Sequence, residues 1–461
     1  MTVNEASAAM KGGLDRRTRV LVSVLGAAAF VAVLDGTAVT ASLGTLTGSF
    51  DTTLPVVVWV TTGYLLAAGS VLPLVGWAIE RFGGRAVFLT GLAGFVAGSV
   101  LTGLAWSVPT LIVFRVLQGF GGGLVEPAAI AVAAALAPRE HVGHVMGRFS
   151  LIINIAPVVG PLFGTMLADN GLWRWIFLIN LPLGLLIIAA AFRWIPSGRG
   201  PGVPPRPDLR GMVLLSPGFV FVLLAINRWG AGAGTVVVVG LAVVGLALLL
   251  AYTAHALRTP VTPVLDLRLL RTPAFAAALL TMCAVGFLMF SQLSVLPVLA
   301  AEQFGLHGVA RGAITSALGV GLLFSMANAG RLSDKLGPRP LVVTGAVVTA
   351  LGLGVVAFVY DFLPLPALLA LYVVIGLGFG SVAAPSFASV YRALPAEDAP
   401  QGTTALFIVV QLFASVGVTV MGLLLDRGGP EVFGTVFAVI SVTAAVAAVV
   451  GSRLPGRPAR L

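Results

Sequence analysis

Charge is what this chain has least of. Asp, Glu, Lys and Arg make up 10% of its 461 residues, against 58% that are hydrophobic. Soluble domains carry about 25% charged residues, so an ordinary soluble fold is excluded and a polytopic membrane protein is predicted. Lysine is almost missing: of 27 basic residues only Lys11 and Lys335 are lysines, and neither precedes Ser or Thr. The phosphate-cradling loop that ends in Lys-Ser or Lys-Thr is therefore absent, and ATP cannot drive the protein through it. Cysteine occurs once, as Cys283 in an apolar run, which excludes an intrachain disulfide and a thiolate metal cluster. There are four histidines. His141 and His144 have ligand-like spacing but only Glu140 beside them, so they read as solvated loop residues, and neither a metal nor a cofactor is expected. The net charge of +10 comes from residues lying between apolar runs. It points to membrane lipids and topology rather than to nucleic acid.

What is present is a series of long apolar runs. Fourteen of them, bounded by charges, Pro and Gly, are long enough to cross a bilayer. They predict an all-α membrane protein with a polar tail at 1–19, a six-helix bundle at 20–195, a linker with two extra spans at 196–272, a second bundle at 273–452 and a tail at 453–461. The first run is too long for a signal-peptide core and reads as an uncleaved helix. The stretch 197–211 is rich in Pro and Gly and reads as a tether; a second basic connector, Arg258 to Arg271, has room for a short interfacial helix. Arg174, Arg228, Arg311 and Arg427 fall on one side of the alternating loops and Arg115 within a run; the other 22 basic residues fall on the opposite side. That bias places both termini in the cytoplasm; the expected home is the cytoplasmic (cell) membrane of a bacterium, as a multi-pass protein.

Ionisable groups inside such runs are costly and usually face protein or a wet cavity. The run from Pro109 to Ala137 carries two, Arg115 and Glu126. Eleven residues apart, they lie about 20° from a common face and roughly 16 Å apart along the axis. They read either as structural ion pairs with neighbouring helices or as charges lining a transport path. Asp35 lies about 24 Å into the first run from Arg19, and Arg115 about 9 Å from the opposite end of the fourth, so the two share a depth. Glu126 lies deeper, with no basic residue evident at its level. A carboxyl whose proton affinity follows solvent access suits a proton-coupled carrier. In the second half Met289, Phe290, Gln292 and Gln411 are polar or adaptable candidates for a substrate surface, as are Gln118 and Asn154 in the first.

A repeat divides the chain. GWAIERFGGR runs from Gly76 to Arg85 and GRLSDKLGPR from Gly330 to Arg339. Gly76, Glu80, Arg81, Gly83 and Arg85 match Gly330, Asp334, Lys335, Gly337 and Arg339, each 254 positions on. The run GLGFGSVAAP, from Gly376 to Pro385, echoes the glycines and proline of the fourth run, with Ala384 in the place of Glu126 and no arginine in that of Arg115. These segments carry a resemblance to the major facilitator superfamily, in its fourteen-span drug:proton antiporter branch. The paired segments look like its signature between helices two and three, with Glu80 where Asp is usual. RVLQGFG, from Arg115, resembles the fourth-helix motif tied to proton coupling; APVVGPLFG, with Gly160, Pro161 and Gly164, resembles the fifth-helix motif of exporters. WRWIFLINLPLG, from Trp173, is similar to the start of helix six, and Asp35 with Thr37 matches the Asp-x-Thr pattern of helix one.

The resemblance implies a major facilitator fold and no enzymatic activity. It implies proton-coupled export of amphipathic small molecules (drugs, antibiotics or natural products) by a monomer working through alternating access. Transport of one dedicated metabolite, or a non-transporting sensor, are the alternatives. The resemblance places the first and fourth helices together, where Asp35 can pair with Arg115. Asp35, Arg115 and Glu126 would handle protons, Glu126 would also meet substrate, the paired segments would gate, and Gly160, Pro161 and Gly164 would pack helices.

Overall fold

The computed structural model describes residues 16–52, 54–136, 142–196, 208–259, 263–306, 308–395, 398–426 and 432–456. Among these there are helices and no strands. Fourteen helices are long and apolar enough to cross a membrane. They are α1 (Arg16–Ala41), α2 (Trp59–Phe82), α3 (Gly84–Gly103), α4 (Val108–Leu136), α5 (Val142–Asp169), α6 (Trp175–Trp194), α7 (Leu209–Gly230), α8 (Thr235–Arg258), α9 (Pro273–Phe304), α10 (Ala313–Leu336), α11 (Pro338–Val359), α12 (Leu365–Arg392), α13 (Ala399–Asp426) and α14 (Val432–Gly451). His141 and residues 197–207 of the expected tether lie outside the described residues, and His144 falls in α5 rather than in a loop. The described part of the second connector holds a short 3-10 helix, Leu267–Arg271.

Helix pairing repeats between the halves. α1 packs on α5, α4 on both α2 and α3, and α3 on α6; in the second half α9 packs on α13, α12 on α10 and α11, and α11 on α14. Glycines set these approaches. A Cβ on Gly119 or Gly123 would meet the α2 backbone at Tyr64 or Ala68, at 2.5 Å, and one on Gly121 would meet the α3 backbone at Phe95. In α12, Gly376 and Gly380 face α10 while Gly378 faces α11. The same alternation therefore seats the central helix of each half against two neighbours. Aligned by these contacts, the counterpart of Glu126 is Ala383 rather than Ala384; it is still alanine.

The paired segments are not loops, as the sequence suggested. Gly76 to Phe82 continues α2 and Gly330 to Leu336 continues α10. Each helix ends on a glycine in a backbone conformation closed to side chains, Gly83 at φ 86°, ψ 145° and Gly337 at φ 85°, ψ 162°. The turn is the same in both halves.

α7 and α8 pack on each other, and α7 leans on α2 and α13. α8 is the most peripheral of the fourteen, with Val236 86% and Leu250 69% exposed, an apolar face turned to lipid. The halves meet where α5 touches α10 and α12, and where α2 and α4 touch α13.

Candidate functional site

Asp35 and Arg115 come together in the first half. Arg115 Nη1 donates to Asp35 Oδ2 at 2.5 Å, and both side chains are sealed from solvent. Two further donors reach the other carboxylate oxygen, Gln118 Nε2 at 3.0 Å and Asn180 Nδ2 at 2.9 Å. One acid on α1 is thus held by two side chains of α4 and one of α6. Arg115 also donates through Nε to the Val60 carbonyl at 3.2 Å and through Nη1 to Gln118 Oε1 at 2.9 Å. Its Nη2 is buried with no partner among the described residues. The Tyr64 ring lies 4.2 Å beneath the guanidinium, a cation–π contact in a dry site. Asn180 donates in turn to Ser99, whose hydroxyl donates to the Phe177 carbonyl.

This corrects two expectations. In this conformation Asp35 and Arg115 line no open path. Gln118, expected on a substrate surface, is a fully buried strut of the ion pair. Local spacing explains the arrangement. Arg115 and Gln118 are three apart on α4 and so neighbours on one face. Asp35 and Thr37, two apart on α1, diverge by about 200°: Asp35 turns to α4 and α6, while Thr37 meets Ala156 and Gly160 of α5. Gly160 and Gly164 bring α5 against Thr37 and Ala38; the side chains of Pro161 and Asn154 lie outside the described residues.

Glu126 stands apart. It is half-buried, and no cation pairs with it among the described residues. One helical turn away, the Tyr64 hydroxyl rests against Gly122. Tyr64 therefore spans from Arg115 toward Glu126, within electrostatic range of both and of Asp35. Three members of this cluster, Tyr64, Ser99 and Asn180, escaped the sequence reading. Asn180 had a signal: an amide inside an apolar run needs a partner at bilayer depth. Of the second-half candidates, Gln292 is fully buried with Oε1 unpartnered, Met289 and Gln411 are half-buried and Phe290 is exposed. None of these four reaches the ion pair.

At the end of the molecule that carries the basic loops, the first paired segment meets the other half. The Gly76 amide donates to Thr404 Oγ1 at 3.0 Å, and Glu80 hydrogen-bonds Gln401, both on α13. Gln401 Oε1 accepts from the Asp266 amide at 2.9 Å. Arg85 donates to the carbonyls of Ile195 and Phe192, tying α3 to the end of α6. Arg81 is half-buried, Lys335 and Arg339 are exposed, and the side chain of Asp334 lies outside the described residues.

The sequence matches the Major Facilitator Superfamily over residues 25–327 and over 278–460. It is 34% identical over 406 residues to a multidrug resistance protein B homolog of Mycobacterium tuberculosis, covering 86% of this chain and 74% of that one. It is 26% identical over 421 residues to the lincomycin resistance protein LmrB of Bacillus subtilis, covering 90% and 87%. The fold is similar to that of the human organic anion transporter MFSD10, with a TM-score of 0.69 at 15% identity over 94% of this chain and 99% of that one. Repeated helix pairing, matched glycine turns, a buried acid–arginine pair and these similarities lead to one conclusion: the chain belongs to the Major Facilitator Superfamily.

Proposed function

We propose that this protein exports amphipathic small molecules, drugs among them, across a bacterial cytoplasmic membrane by alternating access, in exchange for protons and as a monomer. The bundles 20–195 and 273–452 are the moving bodies, 196–272 joins them, and both termini face the cytoplasm. The relatives named for multidrug and lincomycin resistance support the substrate class.

The observation that carries proton exchange is the Asp35 cluster. Its carboxylate accepts from Arg115, Gln118 and Asn180 at once. Oδ1 already accepts twice, so a proton there displaces Gln118 or Asn180; a proton on Oδ2 removes the charge that holds Arg115. Because those donors sit on α4 and α6, one proton changes which helices α1 is tied to. Glu126, half-buried and without an ion-pair partner among the described residues, supplies the negative charge that a cationic substrate seeks, while Met289, Phe290, Gln292, Gln411 and Asn154 supply adaptable surface. The first paired segment, latched to α13, opens and closes the basic end.

The test uses the full chain in proteoliposomes holding a pH-sensitive dye. A lipophilic monocation should move protons in the wild type and not in Asp35→Asn. Substrate transport with no accompanying proton movement in the wild type would overturn the coupling.

A further inference from the structure

A cleft of about 550 Å³ opens at the basic end of the first half, between α1, α5 and α6 and away from the Asp35 cluster. Arg16 and Arg19 from the first turn of α1, and Arg148 from α5, line it. Its third wall is apolar and comes from α6, through Leu186, Ile187 and Ala190. These three recur at helical spacing, so they form one stripe running from the arginines toward the bilayer centre. None of the lining residues is acidic, and none of the three arginines has an ion-pair partner among the described residues. Arg16 and Arg19 are exposed and Arg148 is half-buried, while Leu186 is 68% exposed. The transport reading uses none of these residues.

Three planar guanidinium groups in one cleft match a phosphodiester, whose two anionic oxygens take a paired hydrogen bond from one fork and single bonds from the others. An apolar stripe continuing from the charges matches an acyl chain. Stripe and charges belong to one cleft, so the ligand must have both parts. We infer that the cleft binds one anionic glycerophospholipid of the leaflet at the basic end, its phosphate among Arg16, Arg19 and Arg148 and an acyl chain along α6. A soluble anion would satisfy the arginines and leave the α6 wall uncovered. A zwitterionic lipid would bring its own cation against the three arginines.

Native mass spectrometry of the full chain, titrated in mixed micelles with phosphatidylglycerol, tests the assignment. The wild type should retain one phosphatidylglycerol in preference to phosphatidylcholine, and millimolar inorganic phosphate should not displace it. The triple variant Arg16→Gln, Arg19→Gln, Arg148→Gln should bind at least about 30-fold more weakly. A control triple, Arg210→Gln, Arg258→Gln, Arg271→Gln, removes the same charge elsewhere and should change affinity less than about threefold. Equal losses in both triples, no loss in either, or displacement by phosphate would each overturn the site. Should the first triple fail to fold, wild-type protein and a photoreactive phosphatidylglycerol suffice: crosslinks should fall on the start of α1 and on α6, and crosslinks elsewhere would overturn it.

Discussion

Three donors serve Asp35, and each can be removed singly. Asn180→Ala deletes a hydrogen bond to a charged group, worth about 1.5–3 kcal/mol, and frees Ser99 as well. Proton-coupled transport should fall by about tenfold with membrane expression retained, measured as substrate-driven proton movement. Arg115→Lys keeps the charge but cannot reach Val60, Gln118 and Asp35 together; activity should survive at roughly a tenth. Arg115→Ala leaves a buried carboxylate without its cation, at a cost of about 3–5 kcal/mol, and should abolish transport; wild-type rates in that variant would remove Arg115 from the mechanism. Glu126→Gln retains shape and hydrogen bonding. It should slow transport of cationic compounds by about tenfold and leave neutral ones unchanged. Equal rates for both classes would make Glu126 structural.

At the scale of helices, Gly83 and Gly337 end two equivalent elements in the same glycine-only conformation. Gly83→Ala and Gly337→Ala should each cost about 1–3 kcal/mol and lower the thermal unfolding temperature in detergent to a similar extent. A silent Gly337→Ala beside a damaging Gly83→Ala would break the equivalence. These turns also show what a sequence discloses. The spans were legible because apolar runs of bilayer length have few other uses, and the duplication because Gly, acid, base, Gly and Arg recur at fixed offsets. The helical state of Gly76–Phe82 was not legible, since charged residues at a span's edge read equally as loop. Arg115 and Asp35 could be placed at one depth from spacing, and the resemblance brought their helices together. Gln118 and Asn180 could not be assigned, since which neighbour an amide meets depends on helix rotation, which composition does not encode. The slip between Ala383 and Ala384 has the same origin: one residue is about 100° of rotation, and only the glycine contacts fix it.

Across the whole molecule, the basic loops predict which end faces the cytoplasm. In a variant with Cys283→Ser, a cysteine introduced as Ala231→Cys should react with an external impermeant thiol reagent, and one introduced as Arg453→Cys should not. External labelling at position 453 would invert the topology. The two halves also differ in kind: the first holds Asp35, Arg115 and Glu126, while its counterpart offers Ala383 and uncharged amides. One hydrogen-bonded series runs from the peripheral helix α8 to the contact between the halves. Tyr252 of α8 holds both backbone groups of Leu265, the next residue's amide holds Gln401, and Gln401 holds Glu80. His255 and Asp208 clamp α8 to α7 at 2.7 Å. The inserted helices are thus wired in series with the contact between the halves, like a sail rigged to a latch. α8 packs one face on α7, burying Gly245, Tyr252 and Ala256, and turns the opposite face outward. Parting the halves at the basic end, as the proposed cycle requires, would break or drag that line, so α7 and α8 belong to the contact that moves.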